Sequence, residues 1–198
     1  TDDFEHNYFL AKKIVETVKK VCPKSSIIMQ YLTDVAKCFG GESKIMKWNT
    51  PSKFYVNQNY YKLNSKRVKT KIGTSTVRLS LTDVSSEVDK RKTSISFASN
   101  FVHSLDAANV HLALHKSKQK GLTNFTTIHD CFGSTAADIQ EFISCVKESF
   151  VEMYTDNLLD DLYDQAVEQL DKPQRLPIPP ILGDFNICEV LLAPYVFS

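Results

Sequence analysis

Residues 43–82 contain no Asp or Glu, while Lys44, Lys47, Lys53, Lys62, Lys66, Arg67, Lys69, Lys71 and Arg78 crowd into them. Trp48, Phe54, Tyr55, Tyr60 and Tyr61 are interleaved with these charges, and Pro51 breaks the run once. Within it Val68, Ile72, Val77, Leu79 and Leu81 follow the alternating pattern of strands with two unlike faces. Helical periods flank this segment on both sides, so the chain reads as α+β. Basic, aromatic, acid-free sequence is the usual electrostatic footprint of nucleic-acid binding. Lys66, Arg67 and Lys69 are the candidates for phosphate contact. A solvated face whose acidic partners come from elsewhere would also fit these charges.

Ahead of it, Phe9, Leu10, Ile14, Val18 and Val21 recur at helical spacing. Pro23 suits the first turn of a second helix, which Ile27, Ile28, Tyr31, Leu32, Val35 and Phe39 line and Gly40-Gly41 stops. Both apolar faces are expected in the core. Residues 85–92 are polar and read as a mobile loop. A third helix is predicted from an N-cap at Ser104, with Asp106 in its first turn, to Gly121. His111 and His115 lie four apart on it, but no Glu or Cys stands where it could complete a zinc site.

The β-branched Thr126, Thr127 and Ile128 predict a short strand that delivers His129 and Asp130 into a turn, with Gly133 closing the run. A carboxylate at such a strand end can hold Mg²⁺, which takes hard oxygen ligands and few of them from protein. It can equally be an Asp opening a turn. Helices are then predicted over 136–154, with Ile139, Phe142, Ile143, Val146, Phe150 and Met153 as the apolar stripe, and over 156–170. Both carry many carboxylates, which explains a net charge of only +1. Pro173, Pro177, Pro179 and Pro180 make an extended connector, followed by a short helix over 184–192 and an aromatic end at 194–198 that is expected to dock.

Five cysteines without a CxxC pair read as reduced thiols of an intracellular protein, and no apolar run reaches the length of a membrane span, about 18 residues. The acidic N-terminus does not read as a signal peptide, but as a processed end or a cut inside a longer chain.

Asn100-Phe101-Val102-His103-Ser104-Leu105-Asp106, followed by Ile128-His129-Asp130-Cys131-Phe132-Gly133, resembles the bacteriophage-type single-subunit DNA-directed RNA polymerases of phages, mitochondria, chloroplasts and plasmids. Trp48-Asn49-Thr50-Pro51 with Phe54 and Gln58, Tyr163-Asp164-Gln165 and Gly183-Asp184-Phe185-Asn186 extend the resemblance over nearly the whole chain. It implies the C-terminal palm and part of the fingers of a right-hand polymerase, with helices packed on a small antiparallel sheet. Residues 1–42 would be a helical segment, 43–95 a basic strand-rich segment, and 96–198 the palm motifs and C-terminal helices. Asp130 would be catalytic and a Mg²⁺ ligand, His129 would shape the turn near the RNA 3′ end, and His103 and Asn100 would face the nascent RNA–template duplex. The implied partners are a DNA template, nascent RNA and ribonucleoside triphosphates, in a mitochondrion or a phage-infected bacterial cytoplasm, with no membrane.

Three departures from the family pattern stand out. Ser99 replaces a frequent Pro, and Cys131 replaces a frequent Ser. The earlier aspartate that shares the two metals, and the fingers helix that binds the incoming nucleotide, have no counterpart here. The chain thus carries half a catalytic site and needs the upstream remainder of the polymerase. Two alternatives stay open, the palm of a related DNA polymerase and a nucleic-acid-binding fragment without chemistry.

Overall fold

The computed structural model describes residues 2–129 and 131–194. Helix α1 (Asp2–Val21) and helix α2 (Pro23–Glu42) lead into β1 (Met46–Asn49) and β2 (Tyr55–Gln58). A long pair follows, β3 (Tyr61–Ile72) and β4 (Ser75–Val88), then helix α3 (Lys90–Gln119). The chain continues through β5 (Phe125–Ile128), β6 (Cys131–Ser134), α4 (Ile139–Thr155) and α5 (Leu158–Gln169). It then makes two 3₁₀ turns, Pro173–Arg175 and Ile187–Leu191. Helices mix with small antiparallel ladders, as α+β requires. The strands form three separate two-stranded ladders, β1–β2, β3–β4 and β5–β6, where one small sheet was expected. Among the described residues each strand pairs only with its neighbour in sequence, and helix α3 separates the third ladder from the others in the chain.

The main core lies where α2, α3, β1 and α5 meet. Leu32, Val35, Ala36 and Phe39 of α2 pack with Phe97, Ala98, Phe101 and Leu105 of α3 and with Leu162 and Ala166 of α5. Trp48 of β1 enters from the side, its ring perpendicular to Phe97 at 5.4 Å between centroids. Its indole N–H donates to Ser104 Oγ at 2.9 Å. A second core joins Ala113 and Leu122 to Phe142, Cys145 and Val146 of α4. Helix α3 serves both cores, and at about 1.5 Å per residue its 30 residues span roughly 45 Å.

Ser104 is therefore not an N-cap. Its hydroxyl donates back to Phe101 O within the helix, and the true cap is Asp89, whose carboxylate accepts from Lys92 N. The expected loop over 85–92 is the end of β4 and the first turn of α3. Val88 pairs with Tyr61, and Asp89 N donates to Tyr60 O at 2.9 Å, so strand pairing delivers the chain directly to the cap. Helix α2 runs through both glycines to Glu42 and stops at Ser43 in the left-handed conformation. The apolar stripe of α1 is not in the core: Phe9, Leu10, Ile14, Val18 and Val21 are each more than half exposed. Periodicity announces an apolar face but not what covers it. In α4, Phe142, Val146 and Met153 are buried, whereas Ile143 is exposed.

Helix α5 also closes the free edge of β1. Gln165 accepts from Asn49 N at 2.7 Å and donates to Asn49 O at 3.4 Å. One turn on, Gln169 accepts from Lys47 N and donates to Lys47 O at 2.8 Å. Residues four apart on a helix share a face, and alternate residues on a strand edge turn the same groups outward, so two primary amides take the place of a third strand. Helices α3 and α4 are tied by ion pairs from Lys116 to Glu152 (2.7 Å) and from Lys120 to Glu141 (2.8 Å) and Glu148 (3.0 Å). The Glu141 and Glu148 hydrogen bonds hold the Lys120 ammonium above its usual range. The Lys120 hydrogen bond holds the Glu148 carboxyl below its usual range.

Candidate active site and nucleic-acid face

Gly121, at φ 85°, makes the left-handed turn that ends α3 and lets Leu122 N donate back to Ser117 O. Leu122 is then buried, and the chain enters β5. Ladder β5–β6 has two unlike faces. Phe125, Thr127, Phe132 and Ser134 point one way, and there Phe125 stacks on Phe142 at 6.0 Å while Phe132 meets Phe142 edge-on at 6.0 Å. Thr126, Ile128 and Cys131 point the other way and are exposed. The register pairs Ile128 with Cys131, so two residues, His129 and Asp130, join the strands. His129 is exposed and left-handed at φ 55°, a conformation that short hairpin connections demand and that His tolerates better than branched residues. Asp130, on which the catalytic and metal expectations rest, lies outside the described residues.

Gly133 faces Thr126 across this ladder, and a Cβ on it would stand 2.9 Å from Thr126 Cγ2. Gly133→Ala should therefore push the strands apart and lower the stability of the chain by about 1–3 kcal/mol, the usual cost of overpacking. Adding Thr126→Ser removes the clashing methyl and should restore most of the loss. Urea unfolding midpoints of the three proteins check this.

Helix α3 presents the other motif. His103 is exposed and its ring makes no hydrogen bond to the described residues. The Asn100 amide is engaged internally, donating from Nδ2 to Gln58 Oε1 at 3.2 Å and to Tyr60 Oη at 3.1 Å. Gln58, buried, donates in turn to Thr93 O at 3.0 Å. Lys92 Nζ sits 4.7 Å above the Tyr60 ring. Asn100 thereby fixes the exit of β2 against α3. His111 Nδ1 lies 3.3 Å from Ser52 Oγ, and His115 Nε2 lies 2.9 Å from Gln119 Nε2. Among the described residues no three His, Cys, Asp or Glu side chains stand close enough to hold a metal ion.

The basic candidates fall on β3, but not on one face. Arg67 pairs with Ser80, Lys69 with Arg78 and Lys71 with Thr76, which places Arg67, Lys69, Lys71 and Arg78 together on one side. Lys66 pairs with Leu81, and its side of the ladder carries Val68, Ile72, Val77 and Leu79. Lys62 is paired off with Glu87 at 2.6 Å. No hydrogen bond, ion pair or ring contact links any of Asn100, His103, His129, Lys66, Arg67 and Lys69 to another of the set. The separation of Lys66 from its neighbours was legible in strand alternation. The Gln165–Gln169 clamp and the Asn100–Gln58–Tyr60 contact join distant segments and left no local signal.

A family described as DNA-dependent RNA polymerase matches residues 1–177. The chain is 31% identical, over 96% of its length, to a DNA-directed RNA polymerase of Enterobacteria phage K11, and covers 23% of that protein. It is 30% identical, over 96% of its length, to DNA-directed RNA polymerase 2, chloroplastic/mitochondrial, of Arabidopsis thaliana, covering 18% of it. The values are the same for DNA-directed RNA polymerase 1, mitochondrial, of Nicotiana sylvestris. The chain thus spans about a fifth of the length of the curated relatives it matches. The matched family decides against a DNA polymerase palm.

Proposed function

The chain belongs to the DNA-dependent RNA polymerase family, the phage-type single-subunit enzymes among it, and from that premise we propose that it supplies one of two metal-binding carboxylates for RNA synthesis. In this reading it is the C-terminal palm with part of the fingers, organised as residues 1–42, 43–95 and 96–198. The observation that carries the reading is the β5–β6 ladder, whose Ile128–Cys131 register leaves His129 and Asp130 to join the strands, with Phe125 and Phe132 packed on Phe142 and with Thr126, Ile128 and Cys131 exposed on the other face.

Asp130 is a hard oxygen donor suited to Mg²⁺, and as a single carboxylate it is half of a two-metal set. When bound, the ions would lower the cost of charge on the attacking and leaving oxygens of nucleotidyl transfer. The residues of this chain hold and orient. His129, next to Asp130 in sequence, takes a left-handed backbone position. His103 offers an unengaged imidazole to the RNA–template duplex, while Asn100 keeps its carbonyl oxygen for that duplex and its amino group for the fold. The upstream part of the polymerase would provide the second carboxylate and the nucleotide-binding helix. DNA template, nascent RNA and ribonucleoside triphosphates are the partners.

The cationic side of β3–β4 would lie against backbone phosphates. Each phosphate neutralised steepens the salt dependence of duplex binding by about 0.9 in the log–log slope. Arg67→Ala with Lys69→Ala should thus weaken duplex binding and flatten that slope by roughly two units. Lys66→Ala, on the apolar side, should leave the slope nearly unchanged. Fluorescence anisotropy across a salt series measures both. A slope untouched by the double change would make these charges a solvated face.

A further inference from the structure

The segment between β1 and β2 holds a large aromatic ring out in water by a built loop. Thr50, only 4% exposed, donates from its N–H to Phe54 O at 2.9 Å and accepts from Phe54 N on its Oγ1 at 3.2 Å. Lys53 N donates to Thr50 O at 2.8 Å, and Lys53 adopts the left-handed conformation at φ 63°. Ser52 Oγ touches Thr50 Oγ1 at 3.0 Å and His111 Nδ1 at 3.3 Å. On this scaffold Phe54 stays 58% exposed, with His111 tilted 58° against it at 5.9 Å between centroids. An ordinary exposed Phe does not require a buried threonine, a left-handed lysine and a histidine to fix it. The imidazole meets the ring on one side, and more than half of Phe54 remains exposed.

The ring also stands at the end of a continuous surface. Residues 92, 96, 100, 103, 107 and 111 recur at three- and four-residue steps along α3, so they share one face. That face carries Lys92, Ser96, Asn100, His103 and His111; Asp106, three residues beyond His103, flanks it on the side of Tyr154 of α4. The segment from Phe54, at the level of His111, through β2 to Tyr60, at the level of Asn100, runs beside this face. From Asn100 to His111 the helix rises roughly 16 Å. A stacked single strand advances about 3.4 Å per nucleotide, so four or five nucleotides fit between the two aromatics. Lysines 53 and 92 mark the ends.

We propose that Phe54, braced by His111, is a stacking platform for an unpaired nucleobase of the strand that leaves the duplex at His103 and continues along the α3 face. The inference rests on the nucleic-acid reading above and adds a contact to it. Duplex would not use the platform, because a paired base hides its faces in the helix, whereas a splayed base offers one to an aromatic ring. An RNA strand and a DNA strand present the same base face.

The test uses the 198-residue chain and aminopurine-containing single strands, ribo and deoxy, about 10 nucleotides long, within the range of single-strand site sizes. The matching fully paired duplex serves as control. Phe54→Leu should weaken single-strand binding about tenfold and abolish quenching of the aminopurine, with duplex binding unchanged. The salt slope should stay the same, since an apolar ring releases no counterions. Phe54→Tyr should bind as the parent does, and His111→Ala should fall between. Ribo and deoxy arms that differ in affinity identify which strand runs there. A Phe54→Leu protein that binds single strands as tightly as the parent, against a steep salt slope in both, overturns the platform alone and returns Phe54 to a protein-contact role. A parent chain that binds no oligonucleotide overturns the platform and the nucleic-acid reading together.

Discussion

In the complete polymerase, Asp130→Asn should lower the rate of nucleotide addition by at least about a thousandfold while template binding persists. Asparagine keeps the size of the side chain and much of its hydrogen bonding, but not the charge that holds a divalent cation. The loss falls on the transition state, where charge builds on two oxygens, so it appears in single-turnover rates and not in affinity. Neighbouring substitutions should be milder and in a defined order. His129→Ala loses the imidazole and also places a Cβ-bearing residue without polar compensation at φ 55°, which costs roughly 1 kcal/mol. His129→Gly loses the imidazole alone. A smaller defect in the glycine protein would assign part of the role of His129 to its backbone. His103→Ala should affect hold on the primer end more than rate. Asp130→Asn at near-normal rate would sink the assignment of chemistry to this turn.

Phe142→Ala should destabilise the chain by about 3–5 kcal/mol, a large fraction of the roughly 5–15 kcal/mol that a domain of this kind has. Phe142 is 1% exposed and receives both Phe125 and Phe132, so its removal opens a cavity under the whole of β5–β6. The nearby core of Ala113, Leu122, Cys145 and Val146 cannot collapse into that space without moving α3 against α4, which the Lys116 and Lys120 ion pairs resist. Phe142→Leu keeps most of the volume and should cost about 1–2 kcal/mol. Urea unfolding gives the total. Hydrogen exchange at residues 125–134 should rise more than at the Trp48 core, showing that the turn is held from behind and not by its own strands.

The elements that the sequence announced were those whose signals are local. Pro23 opens α2, Gly121 closes α3, the β-branched run at 126–128 is a strand, and Phe142 with Val146 marks the buried side of α4. Errors arose where a local signal had a distant rival. Ser104 has the chemistry of a cap, but with Asp89 at the end of β4 the helix begins earlier, and Ser104 receives the Trp48 indole instead. The stripe of α1 has a clear period, and periodicity is silent on what covers a face. Three ladders in place of one sheet reflect pairing between sequence neighbours, which alternation does not distinguish from a larger sheet. Of the candidate site, the exposed turn position of His129 could be read in advance; that of His103 could not, because the helix expected to begin at Ser104 begins at Lys90. The left-handed φ of His129 could not, because it follows from the Ile128–Cys131 register.

The β3–β4 arm has no buried residue from Lys62 to Glu87, so its side chains are nearly absent from what keeps the chain folded. Most substitutions there should change stability little, since the large penalties come from cavities, buried polar groups and lost caps. Selection can then rewrite what this arm touches without first passing through a misfolded intermediate. With the nucleic-acid role proposed for it, such an arm would be free to drift with its ligand while the two cores behind it stay fixed.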